Sequence, residues 1–247
     1  MFEQVKIVLI NTTHPGNIGA VARAMKNMGF RQLCLVAPKH FPADEATARA
    51  SGADDILEHA TLVDSLEEAL VGCHWVAGLS ARQRRVAWPT LLARDAAVRI
   101  SQEIKTKQNL QVALLFGQEQ SGLSNEEMAR CHFQITIPAD SDYASLNLAQ
   151  AVQIITYELR MAFLADTARV AGAESGILTA AEEIATADEM ESFYTHLEAT
   201  LIQIRLLNPE YPGYLMAHLR RLYSKGGITK TELNILRGIL TATQKMV

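Results

Sequence analysis

The sequence predicts an α/β fold, a mostly parallel sheet with helices on both faces, followed by a small all-α C-terminal domain. Three observations carry this reading. Over the first two thirds, short continuous apolar runs alternate with segments of helical periodicity, the pattern of strands buried on both faces between crossover helices. The last third holds its apolar residues at helical spacing only. With 247 residues, 49% of them hydrophobic and 20% charged, the chain suffices for one sizeable core and a small second one.

The elements follow in chain order. "VKIVLI" (5–10) is the first expected strand. "NTTHPGNIG" then leads into a helix over about 18–28, on which Ile18, Val21, Ala22, Met25 and Met28 share one side, while Arg23, Lys26 and Asn27 share the other with Gly19. Further strands are expected at 32–38, 74–80, 111–117 and 133–138, with a weaker one at 61–63. Helices are expected near 43–52, 65–72, 92–105 and 124–131, and a long one opens at Ser145. "TARVAGAESGILTA" is small and poorly patterned and reads as a linker over 168–179, so the expected units are residues 1–167 and 180–247. In the second unit Met190, Phe193, Leu197 and Leu201 recur at helical spacing, and Thr229 with Glu232 fits a capping box.

Composition narrows the function classes. No apolar stretch approaches the roughly 20 residues that span a bilayer, and "MFEQVKIVLI" enters a strand too early for a secretory signal, so a cytoplasmic protein is expected. Cys34, Cys73 and Cys131 lie far apart, in or beside apolar runs, as packing thiols do; neither a disulfide framework nor a metal site is expected. The formal net charge of −4 argues against coating nucleic acid by bulk attraction, yet the charge is uneven. Residues 174–198 hold seven acids and no Lys or Arg, whereas residues 199–247 hold seven Lys or Arg against two acids. Arg82, Arg84 and Arg85 form a second basic cluster in "SARQRRVAW".

Ligands of such sheets gather beyond the carboxyl ends of the strands, and three stretches fall there. "NTTHPGNIG" has glycines at 16 and 19 only, so the dinucleotide fingerprint fails, and no P-loop occurs anywhere. Arg23 stands little more than one turn inside a helix N-terminus, beside Gly19, a small residue that leaves the backbone accessible. Free N–H groups and a guanidinium suit an anionic group such as a phosphodiester; a solvated surface Arg is the alternative. His14 reads as a turn residue. "LLFGQEQSGLSNEEM" places Gly117, Gln118 and Glu119 at a strand end, with Ser124 and Glu127 capping the next helix. "ITIPADSDYASLNLAQ" ends a strand at Pro138, crosses a polar loop and enters the long helix with Asn147 in its first turn.

Together, "NIGAVARAMKNMGF", "LLFGQEQSGLS" and "ITIPADSDYASLNLAQAVQIITYE" resemble the three signature motifs of the SPOUT class of S-adenosylmethionine-dependent RNA 2′-O-methyltransferases, over about residues 4 to 165. With the "GLSAR" strand end and the extension "FYTHLEATL…ELNILRGIL", the chain is most similar to the TrmJ family, which methylates nucleotide 32 of the tRNA anticodon loop. The resemblance implies a C-terminal trefoil knot in the first unit and a homodimer whose site is completed across the interface. It implies a pocket for S-adenosylmethionine at Leu79, Ser80, Ala81, Gly117, Gln118, Glu119, Ile137, Ala144, Ser145, Leu146 and Asn147. It carries over Arg23 as the catalytic residue; Asn17 and Ser145 are secondary candidates, and Arg82, Arg84 and Arg85 with the basic tail then read as a phosphate-binding face of the dimer toward a tRNA partner. Two departures bear on the substrate side: Gln118 stands where many relatives have Arg, and Ala144 where Ser is common. The rival expectations are another tRNA or rRNA position, a catalytically silent RNA-binding dimer, and a small-molecule enzyme with a nucleotide cofactor.

Overall fold

Alternation along the strands divides the core into two faces. The computed structural model describes residues 1–82, 88–107, 109–140, 142–170, 183–224 and 227–246, the side chains of 166–170 excepted. In chain order these form β1 (Val5–Ile10), α1 (Pro15–Met28), β2 (Gln32–Val36), α2 (Asp44–Ala50), α3 (Asp54–Glu58), β3 (Thr61–Val63), α4 (Leu66–Leu70), β4 (Trp75–Leu79) and β5 (Thr90–Leu92). There follow α5 (Ala93–Thr106), β6 (Val112–Phe116), α6 (Asn125–Ala129), β7 (Phe133–Thr136), α7 (Leu148–Val170), α8 (Ala187–Gln203), α9 (Leu215–Tyr223) and α10 (Lys230–Gln244). Val5, Ile7 and Leu9 of β1 pack with α1, α2, α5 and α7 on one face, while Val8 and Ile10 pack with Leu70 of α4 and Met128 of α6 on the other. Side chains two apart on a strand share a face, which is why a single apolar run feeds both cores.

The described strands form one seven-stranded sheet of order β3-β2-β1-β6-β4-β7-β5, parallel at every pairing. β7 lies between β4 and β5, pairing Ala77 with Phe133 and Leu91 with Ile135. The last strand of the chain thus fills a slot between two earlier ones, which accords with the knot implied by the resemblance.

Several expected boundaries move. β5 was not expected, because its three residues run without a break into α5, and α3 is likewise too short to show a period. The long helix opens after Asn147 rather than at Ser145, and α7 continues to Val170, into the stretch read as a linker. Residues 171–182 lie outside the described residues. Helix α1 starts at Pro15, whose missing N–H costs nothing in the first turn, and stops at Gly29, whose φ of +84° suits glycine.

The C-terminal helices share their own core, built on Met190, Phe193, Leu197, Leu201, Leu207 and Leu233. Their unit is fastened to the start of β4. Ile184 is buried in the main core with Trp75. The Ala187 N–H donates to the Cys73 carbonyl at 2.6 Å, and the Gly72 N–H donates to Asp188 at 3.3 Å. Arg130 pairs with Glu191 at 2.7 Å and also with Glu67. All three cysteines are buried and none is in a disulfide. Among the described residues, no helix is long and apolar enough to cross a membrane, and no group of three His, Cys, Asp or Glu is placed to hold a metal ion.

Candidate active site

A cavity of about 410 Å³ opens at the carboxyl ends of the strands, beyond β4, β6 and β7. Leu79, Ser80, Ala81, Gly117, Gln118, Glu119, Ile137, Ala144, Ser145 and Leu146 line it, so the structure brings together all the expected cofactor residues except Asn147. Phe116, Gln120, Ser121, Gly122, Ile135, Leu148 and Ala151 complete the wall. Sequence reasoning passed over these, although 120–122 continue a stretch it had singled out.

Each segment is held by local chemistry. After β6 the chain folds back on itself: the Gly122 N–H donates to the Gln118 carbonyl at 2.7 Å, and Gly122 takes a φ of +64°. This return passes so close to Gly117 that a Cβ there would stand 2.2 Å from the Gly122 carbonyl carbon. Only glycine fits. The Ser80 carbonyl accepts from Gln134 at 3.0 Å and Thr136 at 3.1 Å, fixing the end of β4 to β7. Arg82, assigned to RNA by the sequence, lines the cavity, and its guanidinium donates to the Ser121 carbonyl at 3.2 Å. Arg84 and Arg85 lie outside the described residues.

Three distant segments meet beside the cavity. The Glu119 carboxylate accepts from the Thr13 N–H at 3.1 Å, the Thr13 hydroxyl at 2.8 Å, the His14 N–H at 3.2 Å and the Asn17 amide at 3.1 Å. Partial burial pushes its pKa up, but the Asn17 amide and the backbone N–H groups of Glu119, Thr13 and His14 outweigh this and hold the carboxyl at about 2. The Asn17 side-chain oxygen accepts in turn from the Asn147 amide at 3.0 Å, and the Asn147 oxygen accepts from the Ala149 N–H at 2.9 Å as the cap of α7. Asn17 and Asn147 therefore act between segments of the chain. The N–H groups of Thr13 and His14, just ahead of α1, receive the carboxylate of Glu119, which the fold delivers at high effective concentration.

Arg23 is exposed on α1, as its helical position requires, and among the described residues it makes no hydrogen bond or ion pair. It does not line the cavity of its own chain. Gly19 does not leave the backbone open, contrary to expectation: α2 crosses there, and a Cβ would meet the Ala46 carbonyl oxygen at 2.0 Å. A helical wheel registers the small residue but not the helix packed on it.

The cavity suits a nucleoside-sized organic group better than a polyphosphate. Its volume lies within the range of about 300–1,000 Å³ usual for such sites. Leu79, Phe116, Ile135, Ile137, Leu146 and Leu148 offer apolar walls for a planar ring, and the small residues of 80–81, 117 and 144–145 bring polar backbone close. A second cavity of about 370 Å³ runs between α4, the turn at 129–132, α8 and α9. It lies away from the strand ends, and its arginines are already engaged: Arg130 and Arg220 both pair with Glu191.

Comparison with known proteins places these segments in context. Residues 4–157 match the SpoU rRNA Methylase family, and residues 188–247 match the tRNA methyltransferase TrmJ C-terminal domain. A Pseudomonas aeruginosa protein described as tRNA (cytidine/uridine/adenosine-2′-O-)-methyltransferase TrmJ is 54% identical over 100% of this chain and 96% of its own length. A Pectobacterium atrosepticum tRNA (cytidine/uridine-2′-O-)-methyltransferase TrmJ is 47% identical over 99% of this chain and 98% of its own. The crystal structure of TrmJ from Z. mobilis superposes with a TM-score of 0.79 at 32% identity, covering 96% of this chain and 97% of that one.

Proposed function

Because the chain belongs to the SpoU rRNA methylase family and, within it, to the TrmJ methyltransferases, we propose that it methylates the ribose 2′-oxygen of cytidine or uridine 32 in the tRNA anticodon loop, using S-adenosylmethionine. The observation that carries the reading is the meeting of the turn at 13–17, the loop after β6 and the start of α7 beside one cavity, through Glu119, Asn17 and Asn147. When bound, S-adenosylmethionine supplies a sulfonium methyl group already activated for displacement. Leu79, Ser80, Ala81, Gly117, Gln118, Ile137, Ala144, Ser145 and Leu146 are the residues that would hold it. Glu119 and Asn147 serve by keeping the loop and the helix in register.

The remaining work falls to the chain's own cations. A guanidinium keeps its proton at neutral pH, so Arg23 acts by aligning a phosphate and stabilising negative charge as it develops on the 2′-oxygen, rather than as a base. Since Arg23 does not line its own cavity, this reading puts it at the cavity of a second copy, in a homodimer. An apolar stripe on α7 supports that copy: Tyr157, Met161 and Leu164 are each nearly half exposed at helical spacing. Ser145 orients the ribose or the methyl donor. Arg82 meets the RNA at the cavity rim, Arg84 and Arg85 add to the phosphate contacts, and a cytoplasmic setting follows from the substrate.

The test is incubation of the protein with methyl-labelled S-adenosylmethionine and unmodified tRNA transcripts, with nuclease mapping of the label and Arg23→Ala alongside. Label on the ribose of nucleotide 32, lost in the variant, is the expected result. Label at another nucleotide would overturn the position, and methyl-donor binding without transfer to tRNA would overturn the substrate.

A further inference from the structure

The exposed aromatic residues of the C-terminal unit sit among its cations. Tyr211 is 81% exposed and Tyr214 is 55% exposed, on the segment that joins α8 to α9. That segment is built to hold them out. Asn208 folds it into a turn, its side chain accepting from the Glu210 N–H at 2.9 Å and its carbonyl from the Tyr211 N–H at 3.1 Å. Leu207 is buried beneath it, and Gly213 bends it with a φ of +57°. Tyr214 is the N-cap of α9, so His218 and Arg221, four and seven residues later, lie on the same helix face. Arg220, one residue out of that register, turns inward instead, donating twice to Glu191 at 2.7 Å and lying 4.3 Å over the Tyr194 ring. Arg205 leads into the segment exposed, at a φ of +61°.

We propose that Tyr211 and Tyr214, flanked by Arg205, His218 and Arg221, form a platform on which unpaired bases of the tRNA stack while the two arginines hold the adjoining phosphates. The inference rests on the tRNA reading above and gives the C-terminal unit a role within it. Flat aromatic faces beside guanidinium groups are the means by which single-stranded nucleic acid is held without sequence readout. Charge favours RNA over an acidic or neutral protein surface only through the cations: residues 199–247 carry seven Lys or Arg against two acids, and while Arg220 and Lys230 are paired with Glu191 and Glu183, Arg205 and Arg221 flank the tyrosines. The unit is fastened beside Cys73 at the start of β4, whereas the cavity opens beyond Leu79 at its end. The bases it takes are therefore other than the one presented to that chain's own cavity.

The experiment is fluorescence anisotropy of a labelled, unmodified tRNA transcript with the full chain, comparing the wild type, Tyr211→Ala with Tyr214→Ala, and Tyr211→Phe with Tyr214→Phe. Loss of one stacked base corresponds to about 5- to 150-fold in affinity. The Ala pair is expected to bind at least fivefold more weakly, with an unchanged salt slope, melting temperature and affinity for S-adenosylmethionine, while the Phe pair binds like wild type. Arg205→Glu with Arg221→Glu is expected to flatten the salt slope instead. Wild-type affinity in the Ala pair overturns the platform alone and leaves the face to a protein partner. A loss shared by the Phe pair overturns stacking in favour of hydroxyl contacts. Failure of the intact protein to bind tRNA overturns both the platform and the tRNA reading.

Discussion

Asn17 and Glu119, 102 residues apart in the chain, are joined by a 3.1 Å hydrogen bond from the amide of one to the carboxylate of the other. The same carboxylate ties down Thr13 and His14, so one side chain after β6 determines how the turn before α1 is set. It is a charged acceptor with several donors, the arrangement in which removal of one partner is most costly.

Acid should therefore act through Glu119. Its carboxyl is held at about 2 in the folded chain against an ordinary 4.5, so the stability it contributes is fully present above pH 4.5 and is lost as pH falls toward 2. Glu119→Gln should be about 1–3 kcal/mol less stable at neutral pH and should lack that part of the acid dependence. Urea unfolding at a series of pH values checks both; parallel curves for the two proteins would refute the assignment.

Gly117→Ala tests the return of the chain after β6. A Cβ at this position would lie 2.3 Å from the Leu123 nitrogen as well as 2.2 Å from the Gly122 carbonyl carbon, and backbone cannot yield as a side-chain tip can. The loop must shift out of the cavity wall, and calorimetry should record at least tenfold weaker binding of S-adenosylmethionine. Unchanged affinity would mean that this loop does not bound the cofactor.

Arg23→Lys keeps the charge but loses the planar fork. Turnover should fall about 100-fold, the scale of one lost transition-state donor, while methyl-donor affinity stays the same. Mixing Arg23→Ala with Gly117→Ala should restore part of the activity if each cavity takes its arginine from the other copy. No restoration in a verified mixed dimer would return Arg23 to its own chain.

At Gly19 a substitution that improves helix propensity should still harm the protein. The added methyl of Gly19→Ala would meet the Ala46 carbonyl oxygen at 2.0 Å, where α2 leans on α1. Overpacking of this kind costs about 1–3 kcal/mol, and chemical denaturation would show it; a variant as stable as wild type would mean that α2 can move aside.

What could be read from the sequence was whatever lies within one element. β1, β2, β4, β6 and β7 announced themselves as apolar runs, because a strand covered on both faces has no polar side to interrupt it, whereas the exposed edge strand β3 gave only a weak signal. The exposed side of α1 followed from its period, which placed Arg23 correctly outward. Thr90 to Leu92 escaped notice because three residues adjoining a helix have no period of their own. The helix crossing at Gly19 and the bonds of Asn17 to Glu119 and Asn147 are relations between elements, and no local pattern encodes which elements will be neighbours. Glu119 illustrates the limit: its place at a strand end could be read, but the turn its carboxylate holds could not.

The position of β7 between β4 and β5 also bears on how the chain reaches this form during synthesis. Residues 75–79 and 90–92 leave the ribosome well before 133–136, so the facing edges of two strands wait without partners until the third arrives. Sheet pairings this far apart in sequence are slow to form, and waiting edges invite other chains. The brevity of β5, three residues long with Thr90 and Leu92 exposed, leaves little backbone for a stranger to pair with. A short edge strand makes the delay safe.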